Sequence, residues 1–247
     1  MNMPVELSII IPAFNEERRL QKTLDRIRAF LENRPGASEV IVVDDGSTDG
    51  TAQLVGKMTG IWPALRLLKN PGNRGKGYSV RHGMLEAQGR VVLFTDADLS
   101  APIEEADKLI GVLENHDVAI GSRALNRQLI EVHQPRLREL AGILFNYAVK
   151  WMLWLPYEDT QCGLKVFVRD RARILFEQQR IERYGFDPEL LFLARRHGLK
   201  VIEVPVRWAH DSGTRVRALR DGLRMVVDVL RIQLNWIVGR YPRRKAP

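Results

Sequence analysis

The stretch Val91-Val92-Leu93-Phe94-Thr95-Asp96-Ala97-Asp98 decides the fold class. Four apolar residues and a threonine have the pattern of a short strand buried on both faces. Two carboxylates follow directly at its carboxyl end. Unpaired charge beside a buried strand is costly, so Asp96 and Asp98 call for compensation. Two readings answer that call. A hard divalent cation, Mg2+ or Mn2+, takes oxygen ligands and binds through one or two carboxylates plus substrate phosphates. Alternatively, Asp98 lies ahead of Ser100 and Pro102 and forms an Asx turn that opens the next helix.

Working outward, short apolar runs alternate with amphipathic segments. Leu7–Ile11 reads as a strand stopped by Pro12, and Glu16–Glu32 as a helix with Leu20, Leu24, Ile27 and Leu31 at helical spacing. Glu39–Val43 is a second strand and Asp49–Met58 a second helix, with Ser47 or Thr48 placed to cap it. Leu65–Leu68, Val91–Thr95 and Val118–Ile120 continue the strands; Tyr78–Ala87 and Pro102–Glu114 continue the helices. The second half reads as helices over Arg138–Leu155, Pro188–Arg196 and Val216–Val238, with strands at Leu164–Val168 and Lys200–Val204. Continuous rather than alternating apolar strands, interleaved with helices, predict an α/β fold with a mostly parallel central sheet covered on both faces. Ligands of such sheets bind beyond the carboxyl ends of the strands. That rule gathers Pro12-Ala13-Phe14-Asn15-Glu16, Asp44-Asp45-Gly46-Ser47 and Asp96-Ala97-Asp98 onto one edge. Asn73-Arg74-Gly75-Lys76-Gly77 lacks the spacing of a P-loop. Its glycines before a helix either present N–H groups to an anion, with Lys76 adding charge, or make a plain turn.

At 247 residues the chain is one large domain or a domain with an appendage. The single cysteine, Cys162, excludes an internal disulfide framework and suits a reducing cytosol. Residues 1–6 are too short for a secretory signal, and the longest apolar candidate, Phe145–Pro156, is too short to span a bilayer and is interrupted by Lys150. The five histidines show no metal-ligand spacing, which argues against zinc. With 38 basic and 30 acidic residues the net charge is +8, which calls for an anionic partner: nucleic acid, anionic lipid or a phosphorylated substrate. Basic residues crowd the end, from Arg215 and Arg217 to Arg243, Arg244 and Lys245. In the last helix Arg217, Arg220, Arg224 and Arg231 share one face, and Leu219, Leu223, Val226, Leu230, Leu234 and Ile237 form an apolar stripe. That pattern fits a helix lying in an anionic lipid interface; it equally fits a helix packed on the core with solvated arginines. Phe145–Leu155, with Trp151 and Trp154, is a second interfacial candidate.

Ser8–Glu16, Val42–Thr51 and Asp96-Ala97-Asp98 together resemble family 2 inverting glycosyltransferases of the GT-A (nucleotide-diphospho-sugar transferase) fold. Gly121-Ser122-Arg123, Asp159-Thr160-Gln161-Cys162-Gly163 and Phe186-Asp187-Pro188-Glu189-Leu190 are similar to the polyprenyl-phosphate subgroup, particularly the dolichyl-phosphate β-glucosyltransferases. The resemblance implies a catalytic domain over 1–215, including an acceptor-side helical segment at about 136–156, followed by a basic amphipathic helix and tail over 216–247. It implies that Asp98 is the principal ligand of Mg2+ or Mn2+, with Asp96 contacting the nucleotide, or the metal through water. Ser100 stands where many relatives carry Gln, which leaves a third protein ligand open. Pro12, Phe14 and Glu16 would cradle the nucleotide base and ribose, with Asp45 hydrogen-bonding the base, and Ala13, Lys76, Ala97 and Arg215 would complete the nucleotide site. Arg123 would pair with the diphosphate or the acceptor phosphate, with Arg138 and Arg215 as further phosphate partners. Asp159 would orient the acceptor or act as base, unless it merely caps a turn; Asp187 and Glu189 fit either function or the opening of a helix.

The implied reaction moves a hexose, glucose from UDP-glucose in the first instance, onto a dolichyl or undecaprenyl phosphate at the cytoplasmic face of a membrane. GDP-mannose is the alternative donor. Attachment would be peripheral or through a homo-oligomer, with no membrane span. A catalytically silent binder of nucleotide sugar or anionic lipid stays open as a different class. Nucleic acid is not expected as a partner, since basic motifs interleaved with aromatics are absent.

Overall fold

The computed structural model describes residues 4–32, 34–211 and 218–242. Its strands are β1 (Val5–Ala13), β2 (Ala37–Asp44), β3 (Leu65–Lys69), β4 (Val91–Phe94), β5 (Val118–Ser122), β6 (Ile130–Val132), β7 (Lys165–Val168), β8 (Val201–Pro205) and β9 (Trp208–Ala209). Seven of them form one sheet in the order β3-β2-β1-β4-β7-β5-β8, while β6 and β9 pair separately. All pairings in the large sheet are parallel except those of β7, which runs antiparallel to β4 and β5. The mostly parallel α/β sheet expected from the apolar runs is therefore present. The chain winds outward from β1 through β2 to β3, then crosses back to β4 on the other side of β1. A crevice opens at such a reversal, beyond the carboxyl ends of β1 and β4.

The helices are α1 (Glu17–Glu32), α2 (Thr51–Thr59), α3 (Lys76–Glu86), α4 (Ala106–Gly111), α5 (Arg136–Leu153), α6 (Arg169–Gln178), α7 (Phe186–Arg196) and α8 (Ala218–Ile237). They bury both faces of the sheet. Ile9 and Ile11 of β1 join a core with Leu20, Leu24 and Ile27 of α1, whereas Ile10 faces a second core with Val80 of α3 and Phe186 of α7. Each such side chain, fully buried, contributes roughly 1.5–3 kcal/mol.

Several boundaries differ from the sequence reading. Strand β1 continues through Pro12, which pairs in register with Val43. Ile10 accepts from Thr95 N–H, so even-numbered residues of β1 face β4, and pairing with β4 ends at Ile10. The missing donor of Pro12 thus falls where there is no strand left to receive it. The helix expected over Pro102–Glu114 is divided into a 3-10 turn, α4 and a second 3-10 turn. Helix α6 went unread because Arg169, Asp170, Arg171 and Arg173 crowd its start, leaving only Ala172, Leu175, Phe176 and Gln178 buried. At α2 it is Asp49, not Ser47 or Thr48, that accepts from the Thr51 N–H at 3.0 Å.

Helix α8 packs on α5 and α7 through Val229 and Ile232, with Met225 buried beside Gln161. Its opposite face, Leu223, Val226, Leu230, Leu234 and Ile237, is the apolar stripe seen in the sequence, and it is exposed. Helix α5 likewise exposes Leu144, Tyr147 and Trp151, with Trp151 at 81%. Among the described residues no helix is long and apolar enough to cross a membrane.

The segment after α8 is fastened to α7 by Glu189, whose carboxylate accepts from Tyr241 O–H at 2.5 Å, Arg180 N–H and Ile181 N–H. Burial nevertheless pushes the Glu189 carboxyl up to about 7. The folded value lies above the ordinary value near 4.3, so the folded state holds the proton more tightly. Its contribution is complete below about pH 4.3 and is lost as pH rises through 7. Denaturant midpoints across that window should fall with pH, and Glu189→Gln should flatten the fall. An unchanged slope in the variant would exclude Glu189 as its source.

Candidate functional site

The loops after β1, β2 and β4 meet at the crevice, as the carboxyl-end rule predicts. Asn15 adopts the left-handed conformation, φ 56°, which asparagine tolerates better than most residues. Its side-chain oxygen accepts from Thr48 N–H at 2.7 Å, and its own N–H donates to Ser47 Oγ at 2.8 Å. The Phe14–Glu16 loop is thereby locked to the Ser47–Thr51 loop, with Glu16 N–H on Thr51 Oγ1. Pro12, Ala13, Phe14 and Glu16 line the end of β1, Ala13 and Ala97 being buried and the others half-buried.

Asp45 is buried, and three donors converge on it. One oxygen accepts from Asn70 Nδ2 at 2.8 Å and Arg74 N–H at 2.9 Å, the other from Gly75 N–H at 2.7 Å. It holds the glycine loop that opens α3. Gly75 has φ 114°, and a Cβ there would lie 2.6 Å from the Glu182 carbonyl oxygen. Only glycine satisfies both constraints. The loop therefore packs tightly on residues 181–186, which lead into α7, and delivers Lys76 as the first residue of the helix.

Lys76 is not a plain surface lysine. Its ammonium pairs with Asp96 Oδ1 and lies 5.9 Å from the Phe186 ring centroid. Burial works against its charge, but Asp96 and Asp187 outweigh that and hold it well above the ordinary lysine value. Asp98 stands beside this pair and accepts from Ser100 N–H at 2.9 Å, the Asx-type contact that the sequence allowed. Burial and the Asp96 charge both raise its carboxyl. Two carboxylates thus remain crowded in a partly buried site, one of them only incompletely compensated. An oxygen-only donor pair of this kind fits a hard divalent cation whose other ligands come from a bound phosphate. Among the described residues no cluster of three acidic, histidine or cysteine side chains forms a self-sufficient metal centre.

Beneath them, Lys165 and Asp187 form a buried pair at 2.5 Å, with Lys165 also donating to the Cys162 carbonyl. Burial is the main influence raising the Asp187 carboxyl, against the pull of Lys165 and Lys76. Asp187 supports the floor of the site and also opens α7. Gly163 shows why that floor is tight: a Cβ on it would overlap the Asp96 carboxylate. Gly163→Ala should therefore cost about 1–3 kcal/mol, as overpacking does. The check is the denaturant midpoint; an unshifted one would mean that Asp96 turns aside freely.

Arg123 and Asp159 form a two-pronged pair, close enough to Asp96 for that carboxylate to act on the Arg123 charge. Nε donates to Oδ2 at 2.6 Å and Nη2 to Oδ1 at 2.8 Å, while the Arg123 backbone N–H also reaches Oδ2. Burial alone would raise the Asp159 carboxyl, but Arg123 and the backbone donors hold it down at about 2. The Trp208 ring centroid lies 5.4 Å from the guanidinium, within cation–π range. Glu203 of β8 receives the N–H groups of Glu158 and Asp159. Cys162 is buried and its thiol is pushed up to about 11, chiefly by burial, which suits a packed residue and not a nucleophile.

Arg138 is half-buried on the first turn of α5. Arg215 lies outside the described residues, as do Arg217, Arg243, Arg244 and Lys245. Glu203 and Lys165 escaped the sequence reading as parts of the site, while Gly163 was noted only as the end of the Asp159–Gly163 motif. A lysine between Leu164 and Val166 in an apolar strand was the one available signal. The strand β9 also brings Ala209 N–H onto the Ser100 carbonyl at 2.8 Å, placing His210 near the acidic loop.

Residues 8–185 match the family model described as Glycosyl transferase family 2. The dolichyl-phosphate beta-glucosyltransferase of Drosophila melanogaster is 38% identical over 95% of this chain and 76% of its own length. The human protein of the same name is 32% identical over 95% of this chain and 76% of its own. Among solved structures, glucosyl-3-phosphoglycerate synthase from Mycobacterium tuberculosis, with Mn2+, UDP-glucose and phosphoglyceric acid, superimposes with TM-score 0.64 at 21% identity, over 98% of this chain and 82% of that one. Mannosyl-3-phosphoglycerate synthase from Rubrobacter xylanophilus gives TM-score 0.67 at 19% identity, over 98% and 78%. These two likenesses concern the fold, the GT-A architecture.

Proposed function

The chain belongs to glycosyl transferase family 2, and from that membership we propose that it transfers glucose from UDP-glucose onto a polyprenyl phosphate at a membrane surface. The observation that carries the reading is the meeting of Lys76, Asp96 and Asp98 at the switch point of the sheet, near enough to the Arg123–Asp159 pair for Asp96 to act on the Arg123 charge. One set suits a sugar diphosphate and the other an anionic acceptor. Glucose and dolichyl phosphate are favoured because they appear in the names of relatives that align along nearly the whole chain.

In this reading Pro12, Ala13, Phe14, Glu16 and Ala97 cradle the nucleoside, with Arg215 as a further contact. Asp45 acts at one remove, by holding the glycine loop that carries Lys76. Lys76 exchanges Asp96 for the diphosphate. Asp98 and Asp96 would hold Mg2+ or Mn2+, which when bound neutralises charge on the departing diphosphate. An oxygen of the acceptor phosphate attacks the anomeric carbon in line. The bond from that carbon to the diphosphate oxygen breaks with its electron pair, so UDP leaves and the configuration inverts. The acceptor oxygen is already ionised near neutral pH, and no strong base is needed. A carboxyl held at about 2 is a poor proton acceptor, so Asp159 acts by orienting Arg123 toward the acceptor phosphate. Arg138 is the second candidate for that phosphate.

The membrane enters through α5 and α8, whose exposed apolar faces adjoin exposed Arg224 and Arg231. Residues 1–215 act as the catalytic domain and 216–247 as the amphipathic appendage, attached peripherally at the cytoplasmic face; an anionic surface would favour the arginines.

Transfer of label from UDP-glucose and, separately, GDP-mannose to dolichyl phosphate, with and without EDTA, tests the reading. EDTA-sensitive label in the lipid from UDP-glucose is expected. Label from GDP-mannose instead would reassign the sugar, and nucleotide binding without any transfer would leave a silent binder.

A further inference from the structure

We infer that Asn146 is a positioning residue for the acceptor, tying the Asp159 loop to the lipid-facing helix α5. Its side-chain amide uses both ends, one on each side of Asp159. Nδ2 donates to the Glu158 carbonyl at 2.6 Å, and Oδ1 accepts from Thr160 Oγ1 at 2.9 Å and from Thr160 N–H at 3.3 Å. Lys150, one turn further along α5, pairs with Glu158 at 2.7 Å. Together with Glu203 on the sheet side, these contacts leave the loop little freedom, and Asp159 in turn fixes the fork of Arg123. Thr160 is fully buried, so its hydroxyl has no water to exchange for the amide.

What makes the clamp more than loop packing is where it starts. Asn146 is turned to the loop from the opposite side of the helix, whose outer stripe carries Leu144 and Tyr147, exposed at 61% and 60%, and Trp151. A prenyl chain lying along those side chains and a phosphate at Arg123 would be aligned by one rigid connection of a few bonds. This inference rests on the proposed transfer to a polyprenyl phosphate, and the functional reading does not depend on it.

The test is steady-state transfer from UDP-glucose to dolichyl phosphate in phosphatidylcholine vesicles, varying each substrate in turn. Asn146→Ala should lower kcat/KM for the lipid about tenfold or more, the scale expected of a misplaced reacting group. The KM for UDP-glucose and the affinity for UDP with Mn2+ should stay within about twofold, a split that general loss of structure does not produce. Thr160→Val, which removes only the hydroxyl donor, should show the same split to a smaller degree. Both changes act through one contact, so the double variant should be no worse than Asn146→Ala alone. Thr160→Val carries the test by itself if Asn146→Ala does not fold. Equal losses toward both substrates, unchanged lipid kinetics, or multiplicative losses in the double variant would each overturn the inference. No lipid labelling by the unaltered protein would instead defeat the functional reading.

Discussion

Asp98→Asn is expected to reduce glucose transfer by on the order of 10^3-fold while leaving the fold intact or firmer. The amide keeps the size of the carboxylate and the oxygen that accepts from Ser100 N–H. It removes the charge that burial and Asp96 make costly in the ligand-free protein. Groups that stabilise charge developing on a leaving group are worth factors of about 10^2–10^3 each, and a metal ligand also governs whether the cation binds at all. Loss of activity together with an equal or higher Tm is the signature of a site held ready at some cost in stability. Calorimetry should show that Mn2+ no longer strengthens UDP binding. Near-normal transfer by a folded Asp98→Asn protein, with excess Mg2+ or Mn2+, would remove Asp98 from the site.

Asp159→Asn should injure both stability and transfer. Breaking a buried ion pair by neutralising one partner costs about 3–5 kcal/mol when the other charge is fully buried. Arg123 keeps 28% of its side chain exposed, so the low end applies, at about 3 kcal/mol. The acid limb gives an independent check. The folded carboxyl titrates at about 2, below the ordinary value near 3.9. Its stabilisation is therefore complete above about pH 4 and is lost as pH falls through 2, an amount of about 2–3 kcal/mol. Asp159→Asn should lack that part of the acid slope. Transfer should fall on the order of 100-fold through the lipid acceptor, with no new pH dependence between 6 and 8, because orientation and not proton transfer is lost. A rate that rises with pH in the unaltered protein and is flat in the variant would instead favour a base role.

Much of the sheet was legible because buried parallel strands are apolar on both faces. Leu7–Ile11, Glu39–Val43 and Val91–Thr95 stand out for that reason, and their order with the intervening helices leads to the α/β class. Elements with a weak apolar signal were lost. Helix α6 is mostly charged, and β6 and β9 are too short to show a period. The outward stripe of α8 was visible, but sequence could not say whether it faced protein or solvent. Met225, Val229 and Ile232 took the inner role and left Leu223, Leu230 and Leu234 outside.

The site divides along the same line. That Asp45, Asp96 and Asp98 converge follows from chain order alone, since every parallel strand delivers its loop to the same edge. Which charges neutralise one another was decided only in three dimensions. Arg123 and Asp159 are 36 residues apart, and Lys165 and Asp187 are 22 apart. Coulomb energy depends on separation in space and on the water left between the charges, neither of which is written in spacing along the chain. The sequence by itself therefore settled the fold and the edge where ligands bind, because hydrophobic period and strand direction are local properties. Tertiary structure alone settled that Asp159 is a clamped, strongly acidic partner of Arg123 and that Lys76 faces Asp96, because burial and pairing arise only once distant segments meet.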